Sequence, residues 1–238
     1  MIKIYPDVES LSIGAAELFI EQTCLAAKQG PVRVSLAGGE TPRRTYEVLA
    51  GQPFCRQVPW SALHIYWGDE RCVPPQDPRS NEHMARLALL DKVPIPDQQI
   101  HPIRCQHDPL RAAADYETLL RTELLKQPPF DLVFLGLGED GHTASLFPGS
   151  PALMEQERWV REVLPEDQGL ARITLTSLLL NQAGLIVFLV TGAAKAAVLR
   201  EVLHGPRDLG RLPAQLIQPV KGNVCWLVDR QAAAMLEK

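Results

Sequence analysis

The stretch "GLGEDGHTAS", Gly136 to Ser145, sets Asp140 and His142 two residues apart in a glycine-rich turn. An imidazole titrates near neutral pH, so a histidine placed there suits general acid–base chemistry. Of the six histidines, only His142 follows a buried-looking apolar run and lies between an acid and small polar residues. His64 opens a strand-like segment, whereas His83, His101, His107 and His204 fall in helix or loop contexts. Glycines in the turn, Gly138 and Gly141 among them, let a substrate approach the backbone closely. Two further loops suit an anion. In "AGGETP", Gly38 and Gly39 precede Thr41 and Pro42, which fits a helix with Thr41 as N-cap and Pro42 at its first position. The free N–H groups of such a terminus can receive a phosphate. "VTGAAK" repeats the arrangement and puts Lys195 in or near the first turn of another helix. Arg172 in "ARITLT" enters an apolar segment and needs an anionic partner if enclosed. Arg71 in "GDER" is ambiguous, because Asp69 and Glu70 could neutralise it.

The same turn contains a literal G-x-G-x-x-G at Gly136, Gly138 and Gly141, which raises a dinucleotide site as an alternative. That site requires a long helix after the third glycine. Pro148, Gly149 and Pro151 break the segment, and Glu139 with Asp140 would put carboxylates where a pyrophosphate must rest. A catalytic loop fits better than a dinucleotide turn, and no cofactor is expected.

These residues have to be positioned by larger elements. "VRVSLAG", "ALHIYWG", "FDLVFLGLG", "LIVFLVTG" and "NVCWLVD" read as buried strands. "SLSIGAAELFIEQTCLAAKQ", "LRAAADYETLLRTELLK" and "AKAAVLREVL" read as helices between them. Alternation of this kind gives an α/β fold with a largely parallel sheet. Four strands end in glycine loops, and in an open parallel sheet ligands bind beyond the carboxyl ends of the strands. Thr41, Asp69, Arg71, Asp140, His142 and Lys195 should therefore meet at one site.

At 238 residues, 46% of them hydrophobic, the chain is expected to form one domain over 1–238. No stretch approaches the ~18 to 20 apolar residues that span a bilayer, and the N-terminus lacks the layout of a signal peptide, so a cytoplasmic protein without a membrane partner is expected. A formal charge of -4 with scattered Lys and Arg gives no basic stripe for nucleic acid, while leaving room for a local cationic pocket. The five cysteines, Cys24, Cys55, Cys72, Cys105 and Cys225, are odd in number and widely spaced, which suggests reduced thiols.

The motifs "SLAGGETP", "WGDERCVP" with "SNEHMARLALL", "LGLGEDGHTASLFPGS", "RITLT", "VTGAAKAAVL" and "LPAQLI" stand in the order found in 6-phosphogluconolactonases, and the chain resembles that family within the glucosamine-6-phosphate isomerase/6-phosphogluconolactonase superfamily. The resemblance covers nearly the whole chain. It implies a Rossmann-like three-layer α/β/α fold and hydrolysis of 6-phospho-D-glucono-1,5-lactone in the oxidative pentose phosphate pathway. It also implies that His142 is the catalytic base with Asp140 beside it, that Gly38, Gly39, Thr41, Arg172 and Lys195 bind phosphate, and that Arg71 faces sugar or phosphate. Two departures stand out. Ala37 and Glu40 occupy loop positions where the family often has serines, so Glu40 must point away from the anion. The related deaminases carry Asn-Glu-Pro where this chain has Leu146, Phe147 and Pro148, and phenylalanine cannot move protons.

A lactone is a cyclic ester, so its hydrolysis needs an activated water, a holder for the developing oxyanion and a grip on the remote phosphate. Backbone N–H groups near Gly138 to Gly141, or Arg71, could hold the oxyanion. With no G-x-S-x-G elbow and no H-x-x-x-H cluster, direct water attack without metal is the simplest expectation. A sugar-phosphate-binding regulator that performs no chemistry is the alternative class.

Overall fold

The computed structural model describes residues 1–105, 108–124, 128–164 and 169–236. His107 and the last two residues of the segment ending at Lys126 lie outside them. Nine strands occur among the described residues: β1 Ile2–Tyr5, β2 Val32–Leu36, β3 Leu63–Trp67, β4 Asp69–Arg71, β5 Leu132–Leu135, β6 Val160–Val163, β7 Arg172–Leu175, β8 Leu185–Val190 and β9 Asn223–Asp229. The α-helices are α1 Val8–Ala27, α2 Glu40–Ala50, α3 Asn81–Ala88, α4 Pro109–Glu123, α5 Ser177–Leu180 and α6 Ala196–His204.

Six strands form one sheet in the order β1-β9-β8-β5-β2-β3, with every neighbouring pair parallel. Helices cover both faces. This double covering explains why β5 is buried at all four positions and why its sequence, "LVFL", shows no alternation. Local chemistry sets the helix starts. Asp7 caps α1 by accepting from the Ser10 N–H at 2.8 Å, Ser80 caps α3, and Asp108 caps α4 just before Pro109.

The five apolar runs contain β2, β3, β5, β8 and β9, and the three helical segments overlap α1, α4 and α6. Two features were not anticipated. β1 adds an edge strand beside β9, and β4, β7 and β6 form a separate antiparallel sheet in that order. In this small sheet Arg71 is the register partner of Arg172. The thiol expectation is corrected as well: Cys72 and Cys105 form a disulfide, with Cα atoms 4.7 Å apart, and Cys24, Cys55 and Cys225 are free. Spacing could not reveal this pair, because the fold brings together two loops separated by 33 positions.

Candidate functional site

From β2 the chain proceeds outward to β3, whereas from β5 it proceeds to β8 and β9 on the other side, so the connectivity reverses between β2 and β5. A crevice opens at such a point beyond the carboxyl ends of the strands. A cavity of about 400 Å³ lies there, lined by Gly38, Gly39, Thr41, Asp69, Arg71, Gly138, His142, Arg172 and Lys195 among others. The structure thus brings together nine of the eleven residues singled out from the sequence. Asp140 and Gly141 do not line it.

His142 faces the cavity, and its Nδ1 lies 2.6 Å from Asp140 Oδ1. With Nδ1–H donating to the carboxylate, the imidazole keeps its lone pair on Nε2. The hydrogen bond from His142 holds the Asp140 carboxyl down at about 2, against the opposing effect of partial burial. Gly138 makes this arrangement possible, because a Cβ there would sit 2.1 Å from His142 Nδ1 and 2.5 Å from Asp140 Oδ1. Gly141 adopts φ +87°, and a Cβ on it would meet Leu212 at 2.7 Å. Their amides are occupied: Gly138 N–H donates to the His142 carbonyl and Gly141 N–H to the Gly138 carbonyl. Of the N–H groups near Gly138 to Gly141 that could hold an oxyanion, these two are therefore spent on the turn's own closure.

The anion loops differ from expectation in detail. α2 begins at Glu40, with Gly39 as N-cap at φ 101°, so Thr41 lies inside the helix rather than capping it. Only glycine readily takes that backbone conformation, which explains why the cap moves two residues upstream. Thr41 Oγ1 instead meets Thr191 Oγ1 at 2.7 Å, joining the β2 and β8 loops. Glu40 borders the cavity and pairs with Arg43 at 2.5 Å, with its side chain 84% exposed. In the second loop the Gly192 N–H donates to Asp229, so this amide is not open to an anion. Lys195 reaches the cavity, where Nζ lies 3.7 Å from Glu139.

Asp69 and Glu70 do not neutralise Arg71. Asp69 Oδ2 accepts from the buried Ser145 hydroxyl at 2.6 Å, and its Oδ1 faces Asn81 Nδ2 at 3.3 Å. Glu70 accepts from the N–H groups of Arg71, Asn81 and Glu82 and from the Ser80 hydroxyl. The Arg71 guanidinium donates to the Arg79 carbonyl. Among the described residues neither Arg71 nor Arg172 forms an ion pair, and the Nε of each is buried without a hydrogen-bond partner. Burial, with Arg71 alongside, pulls the Arg172 guanidinium below its ordinary value. Two adjacent guanidiniums without ion pairs at a cavity wall can face negative charge on a bound substrate. Sequence reasoning missed Asn81, Ser145 and Glu70. The Ser-Asn-Glu run at 80–82 carried a helix-cap signal, but nothing in the sequence linked it to Glu70.

Fold and site together define an α/β protein with a cavity lined by Arg71, Arg172 and Lys195 at the reversal point of its sheet. The chain belongs to the family described as Glucosamine-6-phosphate isomerases/6-phosphogluconolactonase, which matches residues 6–226. It is 44% identical over 215 residues to a 6-phosphogluconolactonase of Synechocystis sp., covering 88% of this chain and 87% of that one. A 6-phosphogluconolactonase of Nostoc sp. is 38% identical over 241 residues, covering 99% and 98%. The solved 6-phosphogluconolactonase from Trypanosoma brucei superposes with a TM-score of 0.89 at 31% identity, covering 99% of this chain and 98% of that one.

Proposed function

We propose that this chain hydrolyses 6-phospho-D-glucono-1,5-lactone to 6-phosphogluconate, the lactonase step of the oxidative pentose phosphate pathway, and that residues 1–238 act as one unit. The observation that carries this reading is the His142–Asp140 pair opening onto the same cavity as two unpaired arginines. The family's description also names glucosamine-6-phosphate isomerases, and Phe147 supports the lactonase chemistry over theirs. Amine departure and ring opening call for a proton-transferring side chain where this chain has only a hydrocarbon ring.

In the proposed reaction His142 Nε2 accepts a proton from water as the oxygen attacks the lactone carbonyl carbon. The tetrahedral intermediate places negative charge on the former carbonyl oxygen, beside the Arg71 guanidinium. Collapse re-forms the carbonyl and breaks the bond to the ring oxygen. That oxygen takes the proton back from the imidazolium and becomes the free hydroxyl of the open-chain acid. Arg172, Lys195 and the N-terminus of α2 hold the 6-phosphate, and this grip positions the carbonyl over His142. No step uses a metal, and among the described residues no group of three or more His, Cys, Asp or Glu is arranged to hold one.

The test is the rate of 6-phosphogluconate formation from freshly made lactone, corrected for spontaneous hydrolysis, with and without chelator. Turnover insensitive to chelator, together with no ammonia release from glucosamine 6-phosphate, is the expected result. Tight binding of 6-phosphogluconate without turnover would replace the lactonase by a sugar-phosphate-binding protein.

A further inference from the structure

Phe147 lies outside the cavity wall, yet it touches two of the groups that the proposed reaction needs. A bridge between Thr143 and Leu146, with Ala144 at φ 49°, folds the chain back after His142. This turn sets the Phe147 ring beside the imidazole, with centroids 4.5 Å apart and planes inclined by 44°. The guanidinium carbon of Arg172 lies 5.3 Å from the centroid of the same ring. Phe147 itself is half-buried and packed on the core, so its orientation is fixed from behind.

The chemistry explains why an aromatic ring should serve here. A guanidinium that must receive a phosphate cannot be fixed by a carboxylate without losing the charge it needs. The face of a ring attracts the cation and leaves its N–H groups free. Arg172 fits that description, with its Nε unpartnered and no ion pair among the described residues. The imidazole has a related need. Its bond to Asp140 fixes which nitrogen carries the proton, and contact with a ring blocks alternative tilts.

We infer that Phe147 is a positioning residue that orients His142 and Arg172 together, so that one ring sets the proton acceptor and the anion grip relative to each other. This rests on the lactonase reading, and the experiment separates the two. Phe147→Leu is compared with wild type on the phosphorylated lactone and on unphosphorylated gluconolactone, with Phe147→Tyr as the conservative variant and circular dichroism as a check of folding. In Phe147→Leu, kcat falls roughly tenfold on both substrates because the base is misaligned. KM rises about tenfold on the phosphorylated lactone alone, because the contact to Arg172 is lost. Phe147→Tyr restores both parameters. Should Phe147→Leu fail to fold, Phe147→Met, closer in volume, is read in its place. A purely structural role lowers the amount of active enzyme and leaves both KM values unchanged, and that result overturns the inference, as does a folded variant with wild-type parameters. A wild type that does not hydrolyse the lactone overturns the lactonase reading and this inference with it.

Discussion

The Asp140 carboxyl titrates at about 2, so it is ionised at every pH at which such an enzyme is assayed. A carboxyl depressed in this way gives its stabilisation above its unfolded value and loses it only as the pH falls through about 2. It therefore contributes nothing to the pH dependence of turnover near neutrality. A base must be unprotonated to work, so kcat/KM should fall on the acidic side. The limb should survive Asp140→Asn and be absent from the residual activity of His142→Asn, whose kcat should drop roughly 10²- to 10⁴-fold. A folded His142→Asn variant with near-normal kcat would remove the residue from the mechanism. At the other end of the substrate, Arg172→Ala and Lys195→Ala each remove a charged contact, typically about 1.5 to 3 kcal/mol, or roughly ten- to a hundredfold in kcat/KM. The loss should appear on the phosphorylated lactone and be much smaller on gluconolactone, and equal losses would assign these residues to folding or to the carbonyl. The meeting of His142, Arg71 and Lys195 at one cavity was legible because their loops follow strand ends. The state of the glycine amides was not, since a donor's partner depends on how the turn closes.

At the scale of elements, the site hangs on the contact between β4 and α3. Glu70 is 4% exposed and takes four hydrogen bonds, two on each oxygen, from β4, Ser80 and the first turn of α3. Burial raises its carboxyl above the ordinary value even though all four donors pull the other way. The fixed helix start then delivers Asn81 to Asp69, close enough to Gly38 that a Cβ on that glycine would lie 1.9 Å from Asn81 Oδ1. Glu70→Gln replaces one acceptor oxygen by a donor; with the NH2 on the Ser80 side the hydroxyl turns to accept from it, and the Glu82 N–H loses its acceptor. A buried unsatisfied group costs about 1 to 3 kcal/mol, and the variant should lose roughly that much in urea unfolding. A stability within 0.5 kcal/mol of wild type, roughly the range of an ordinary surface change, would deny the clasp. The parallel strands were readable because burial on both faces writes a continuous apolar run. β4 was not, because a strand reading Asp-Glu-Arg has no apolar signature and its partner β7 lies about a hundred residues away.

Across the whole molecule, the Cys72–Cys105 disulfide ties the end of β4, immediately after Arg71, to the loop that follows Ile100. Arg104, beside this bridge, pairs with Glu82 in the first turn of α3, so the same loop is fastened to both elements of the clasp. A cross-link over 33 positions restricts the unfolded chain and typically contributes about 2 to 4 kcal/mol. Three of the five cysteines should therefore react with a thiol reagent when the protein is unfolded without reductant, and all five once it is reduced. The Cys72→Ser, Cys105→Ser double variant should unfold at lower urea than oxidised wild type, and reductant should bring wild type down to the variant while leaving the variant unchanged. Because the bridge secures the strand that carries Arg71, which the proposed reaction sets beside the oxyanion, its loss should also lower kcat more than it raises KM for the phosphorylated lactone. Five reactive thiols in unreduced, unfolded protein would show that the bridge does not form. Reading the cysteines as thiols failed for a physical reason: an odd count is compatible with one pair, and pairing depends on which loops the fold brings within about 7 Å.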